Sequence, residues 1–129
     1  MGIRSDVDAS IVLIRAIGPV LEDNDDTNTS ATVDLHDYPG YRVMLIAGLG
    51  TRTDGSFTFS VEQSSDDSSY TALAPTSGSV AAVAAANTIR EAGYQPSKRY
   101  LQVKSVAAST TDGAVHFALL LLVPPFGSI

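Results

Sequence analysis

Glu22, Asp23, Asp25 and Asp26 crowd one short stretch of this chain. Calcium favours such oxygen-rich loops. Laid on the EF-hand pattern from Asp23, the carboxylates fit the first and third positions. Asn28 then stands where the sharp-turn glycine belongs, and Asp34 replaces the bidentate glutamate. The pattern therefore reads as a solvated acidic loop, and no metal ligands are assigned. Asp66 and Asp67 are read the same way, because adjacent turn residues rarely converge on one ion and Asp is a natural turn former. The two histidines, His36 and His116, lack a second histidine at ligand spacing. His36 lies close to Asp34 and Asp37, a spacing that offers a pH-sensitive contact or a small acid–base pocket. His116 stands between Val115 and Phe117 and reads as a surface or edge residue of a strand.

Nucleophilic catalysis has no better footing. A serine nucleophile needs a base and an orienting acid within hydrogen-bond reach. None of the serines sits in a GxSxG elbow. The stretch "GLGTRTDG" lacks the glycine spacing and the following helix of a phosphate loop, and reads as a turn. No catalytic or cofactor-binding residue is assigned, and the expectation is a protein without enzymatic activity or cofactor. Lys98 and Arg99, with Arg90 and Lys104 nearby and Tyr94 and Tyr100 flanking, form the main positive concentration. The net charge of -6 argues against phosphate tracking and against anionic membranes. Pairing with carboxylates, within the fold or across a subunit contact, suits these cations better. A glycan-binding use is weakened by the lack of tryptophan.

The elements that must carry these residues are strands. Phe57, Phe59 and Val61 alternate with Ser56, Thr58, Ser60 and Glu62, the period-two mark of a strand with one wet face. The polar turn "SSDDSS" and the run Tyr70 to Leu73 complete a hairpin. Asp54-Gly55 reads as another hairpin signal. "IVLIRAI" is a strand bounded by Gly18-Pro19, and "LEDNDDTNTSAT" is a loop. "VDLHDY" is a short strand. "YRVMLIAGL" is continuously apolar after Arg42, as a central strand covered on both faces would be, and "AVHFALLLLV" is a closing strand expected to be central. The alanine-rich stretch after Gly78 reads as a loop or one helical turn, followed by a strand from Thr88 to Tyr94. Tyr100, Gln102, Lys104 and Val106 alternate against Leu101, Val103 and Ser105.

These elements predict a single all-β domain over residues 1–129, an antiparallel β-sandwich or jelly roll, with a small partly open barrel as the alternative. At 129 residues the chain can bury a core without staples, and it has no cysteine. The acids before the first apolar run do not fit a secretory leader, and Asp6 stands where a myristoylation motif wants Ser or Thr. The run Phe117 to Val123 is too short to span a bilayer as a helix.

Four segments, "DLHDYPGYRVMLIAGL", "TDGSFTFSVEQSSDDSSYTAL", "GYQPSKRYLQVKSVA" and "TDGAVHFALLLL", together resemble a set of small proteins encoded beside the major capsid gene in tailed bacteriophages and gene transfer agents. In that family an apolar strand leads to a "TDG" turn, an alternating strand ending in "ES-D-G", and a "Y-x-x-S-KRY-x-RV" strand. Thr53-Asp54-Gly55, Gln63-Ser64, Asp66-Asp67 and Ser97-Lys98-Arg99-Tyr100 hold those places. Ser68 stands where the family often has glycine, and Gln102 replaces a frequent arginine. The resemblance implies a head-associated structural protein, made in the host cytoplasm and carried on the capsid surface. Its expected role is decoration or cement, with the major capsid protein and further copies of itself as partners. The expected homo-oligomer is a trimer, because threefold lattice sites favour closed rings. A head-vertex spike base or a lectin-like head-fibre module is the alternative. Expected partner contacts are Ile3, Arg4 and Val7 on an N-terminal arm (1–10), Lys98 and Arg99, and Phe126 on a C-terminal tail (124–129), with Ile129 as a further apolar anchor.

Overall fold

The computed structural model describes residues 11–125. The expected contacts Ile3, Arg4, Val7, Phe126 and Ile129 lie outside the described residues. The described residues form ten strands and no helix. One sheet orders β1 (Val12–Glu22), β10 (Ala114–Val123), β4 (Arg42–Arg52), β8 (Thr88–Tyr94) and β7 (Ser77–Gly78). The other orders β2 (Thr27–Thr29), β9 (Tyr100–Ala108), β5 (Ser56–Ser64) and β6 (Thr71–Leu73), with β3 (Val33–Asp34) also pairing β9. All pairings are antiparallel. Most connections switch sheets, and the resulting order is that of a jelly-roll sandwich, in which two four-strand Greek keys interleave.

Side-chain alternation builds the core. Val43, Leu45, Ala47 and Leu49 of β4, with Ala118, Leu120 and Leu122 of β10, face Phe57, Phe59 and Val61 of β5 and Leu101 and Val103 of β9. Each is buried, so the parity of "SFTFSV" and "YLQVKS" is the parity of the fold. The hairpin of β5 and β6 forms as expected, with Val61 opposite Leu73 and Gln63 opposite Thr71. Its turn is held by Asp66, whose Oδ1 accepts hydrogen bonds from the Ser68 and Ser69 amides at 3.0 Å each. This is a side-chain mimic of a backbone turn.

Several local expectations need correction. Asp54-Gly55 does not make a hairpin, because β4 and β5 belong to different sheets. The sequence Thr-Asp-Gly occurs there and again at Thr111-Asp112-Gly113, and both copies are arches between the sheets. The arches clasp each other. Asp54 accepts from the amides of Thr111 (2.9 Å), Asp112 (3.2 Å) and Gly113 (2.8 Å), while the Thr53 amide donates to the Gly113 carbonyl. Gly113 has φ +77, and a Cβ there would meet the Glu22 carbonyl oxygen at 1.8 Å, so only glycine closes this corner. Strand β1 also does not stop at Gly18-Pro19. It runs through them to Glu22, with register shifts against β10 on either side of Ile17. The segment expected to be an acidic loop therefore contains the end of β1 and the short β2.

The alanine-rich stretch is a loop, one of the two expected forms, and it is pinned to β5 by an isolated bridge at Val83. Val80 and Val83 are buried, and Val83 exchanges two backbone hydrogen bonds with Phe57, at 2.8 and 2.9 Å. Burying these two valines along the edge of β5 outweighs the helix propensity of the intervening alanines.

Candidate functional site

Two places gather polar side chains, and one face gathers apolar ones. The first polar place is a shallow groove of about 280 Å³ at one end of the sandwich. Leu35, His36, Tyr38, Tyr41, Lys98 and Arg99 contribute to its lining. The turn Pro39-Gly40 and the segment before β9 bring them together. Both expected cations are exposed here. Arg99 is engaged: its guanidinium donates to both oxygens of Asp34 at 2.9 Å and lies 5.0 Å from the Tyr100 ring centre. The guanidinium, aided by the His36 amide, holds the Asp34 carboxyl down to about 2. Such a carboxylate is a poor general base, since base catalysis near neutrality wants a pKa near the working pH. Asp34 and His36 are thus neighbours, as their spacing suggests, but the acid is committed to Arg99. Asp37 is exposed and does not line the groove. Tyr38 and Tyr41 stack edge-on with ring centres 5.2 Å apart.

The acidic loop disperses its carboxylates. Glu22 accepts from the Asn24 amide (3.1 Å) and the Asn28 side chain (2.7 Å). Asp25 turns away to accept from the Thr110 hydroxyl (2.6 Å) and amide (2.8 Å). Those bonds lower the Asp25 pKa. No group of three or more potential metal ligands converges among the described residues.

The second polar place is not visible in the sequence pattern. Ser105 of β9 and His116 of β10 meet between the sheets, Oγ to Nδ1 at 3.1 Å. His116 is not a surface residue. Both side chains are 0 % exposed, and the imidazole lies 5.3 Å from the Phe57 ring centre and 6.2 Å from that of Phe59. Burial pushes the His116 pKa down, opposed by the charge of Glu22. Its Nε2 has no hydrogen-bond partner among the described residues. A serine beside an imidazole has the composition of an activated nucleophile, yet here no surface opening reaches either atom. The pair ties the two sheets together inside the core. Parity carries the signal for half of it: Ser105 falls in phase with Leu101 and Val103.

The apolar place is the outer face of the β1-β10-β4-β8 sheet. Outward positions on the opposite sheet are mostly polar, as the pair Gln102–Glu62 (2.8 Å) and the nearby Lys104 illustrate, with Val106 the exposed large apolar exception on β9. On the β10 sheet the outward positions are Val115, Phe117, Leu119, Leu121 and Val123 of β10 and Met44 and Ile46 of β4, all only partly covered. Leu13, Leu21 and Ile89 extend the face and are 63 %, 57 % and 68 % exposed. Contiguous apolar patches beyond a few hundred Å² mark interaction surfaces. The run "YRVMLIAGL" is expected to be covered on both faces, and "AVHFALLLLV" to be a central closing strand. Both strands are central in their sheet, as expected, but the described residues bury only the inner face.

No family model, curated protein or solved structure matches this chain.

Proposed function

We propose that this chain is a non-enzymatic structural protein of a phage-type head, a decoration or cement protein that binds the outside of the shell beside the major capsid protein. One observation carries the proposal: the middle of one outer sheet face is built from apolar side chains, with charges only toward its edges, where a free-standing sandwich would be polar, so the molecule is made to be covered. Support also comes from the Ser97-Lys98-Arg99-Tyr100 and Thr-Asp-Gly segments, which resemble those of head-associated proteins. Lys98 is exposed at the groove end of the sandwich and is available to a carboxylate on a neighbouring subunit. A protein that binds only the assembled shell stabilises it by mass action, and many weak contacts on a lattice give avidity. Self-association, with three copies at a threefold site as the expected count, belongs to the same proposal.

The test is add-back to purified heads that lack the protein. Binding in copy numbers that match the threefold sites, with raised resistance of the heads to heat, is the expected result. Copies confined to vertices assign a spike base instead. Glycan binding by the isolated protein without head binding assigns the lectin-like module. Absence from every assembled particle overturns the proposal.

A further inference from the structure

The outer face of the β10 sheet has a pattern that says what covers it. Register places Arg15, Leu119, Ile46 and Glu91 in one row across β1, β10, β4 and β8. The row is cationic at one end, anionic at the other and apolar between. The next row holds Leu13, Leu121, Met44 and Gly93, with no charge. Phe117 and Ile89 continue the apolar surface on the other side, and Arg42 marks the rim beside Val123. Arg15 and Glu91 are both exposed, and the ion pairs among the described residues use neither. Three strand spacings hold them about 14 Å apart within one chain, beyond a screening length of about 8 Å at physiological salt.

We propose that a second copy of this chain covers the face, packed sheet to sheet about a two-fold axis that runs along the strands between β10 and β4. That axis lays β1 of one copy over β8 of the other, and β10 over β4. It sets Arg15 opposite Glu91 at both edges, Leu119 opposite Ile46, and Leu121 opposite Met44. A two-fold axis along the row itself would set Arg15 against Arg15 and Glu91 against Glu91, so charge selects the first arrangement. The size fits as well. Four strands and the length from Val115 to Val123 give a face of about 19 by 27 Å, roughly 500 Å² in projection. Its corrugated accessible area approaches the roughly 800 Å² per partner of a standard specific interface. Two-fold pairs are the commonest closed assemblies, and closure leaves no further apolar face to propagate. The pairing uses the same face that carries the capsid proposal, so the two compete for it, and the outcomes below separate them.

The experiment is sedimentation of the full chain and of charge-reversal variants. The wild type is expected to be a dimer in the micromolar range. Arg15→Glu and Glu91→Arg each turn two attractive edge contacts repulsive, so each should weaken the dimer by about tenfold or more. The double variant R15E/E91R should recover it. An equimolar mixture of the two single variants should form the mixed pair in preference, because both edges are then complementary. Leu119→Lys should abolish pairing, and the charge reversals keep the proposal testable if that variant fails to fold. A wild type that stays monomeric through the micromolar range overturns the inference, as do three copies without a dimer. A dimer indifferent to both reversals overturns it too. A monomer that binds heads assigns the face to the shell and leaves the proposed function standing. A dimer that never joins heads does the reverse.

Discussion

Replacing Ser105 and His116 together, as S105A/H116F, should remove a pH dependence that the core now carries. In the native fold the imidazole is 0 % exposed, held neutral by burial, and satisfied at Nδ1 only. In the unfolded chain the same ring titrates at its ordinary value of 6.5. The folded pKa is lowered, so the sign is fixed. Stability is full above 6.5 and falls as the pH drops, because the unfolded state takes up a proton that the folded state refuses. The ceiling on the slope is about 1.4 kcal/mol per pH unit, so at most about that amount is lost by about pH 5.5. The lowered carboxylates Asp25, Asp34, Asp54 and Asp66 start from an ordinary value of 3.8 and do not act in this window.

At neutral pH the same substitution has a different balance. The orphaned Nε2 costs about 1–3 kcal/mol, and replacing both partners by apolar groups of similar shape can be neutral or stabilising. Phenylalanine keeps a ring beside Phe57 and Phe59. The double variant should therefore be as stable as the wild type or more stable by up to about 2 kcal/mol. Ser105→Ala alone strands Nδ1 as well and should cost about 1–3 kcal/mol. Urea denaturation followed by circular dichroism from about pH 7.5 to 5 reads all three, with the slopes compared at each pH. Wild-type and double-variant curves that run parallel across that range would refute the assignment of a neutral, buried His116.

Two further substitutions probe how the sheets are joined. Gly48→Ala puts a Cβ 1.9 Å from the Thr88 carbonyl oxygen in the centre of the sheet, so β4 and β8 must separate. A loss of about 2–3 kcal/mol in urea melts is expected, and an unchanged midpoint would show that the strands do not approach so closely. Asp54→Ala removes the acceptor for three amides of the second arch and should lower the melting temperature at neutral pH. Those amides lower the Asp54 pKa below 3.8, so its contribution is present above that value and is lost as the pH falls through the folded pKa. The difference in melting temperature between wild type and variant should narrow progressively as the pH falls below about 3.8, and a difference that stays constant through that acid range would refute the clasp.

Strand identity is legible where one face is wet. In β5 and β9 the polar and apolar residues alternate, and the buried set is the one that parity names. In β8 the bounds Thr88 and Tyr94 follow from the flanking turns. What local pattern cannot convey is the sheet each strand joins. An Asp-Gly pair specifies a tight reversal of the backbone, and a sheet-to-sheet arch needs that as much as a hairpin does. Asp54 shows the difference lies elsewhere, in a carboxylate that holds amides 57 to 59 residues away in sequence. The burial of His116 is hidden for a related reason. In β10 both parities are apolar, so period two gives no inside, and a histidine there has no marked face.

That same loss of parity is the most informative property of the chain once the sheets are known. A strand apolar on both parities signals cover on both faces. For β4 and β10 the inner cover is Phe57, Phe59, Leu101 and Val103. The outer cover is not in the described fold, while β5 and β9 of the opposite sheet carry Ser, Thr, Glu, Gln and Lys outward. One chain thus contains both solutions, a sheet finished for water and a sheet whose outer face is left largely apolar. The core does not require the second. Leu119, Leu121 and Ile46 point away from it, and their apolar character adds nothing to the packing of the two sheets. What they contribute is area that gains free energy only on association, at about 25 cal/mol per Å² removed from water before the costs of association. The charges at the two ends of the row then decide orientation, since apolar area alone is non-directional.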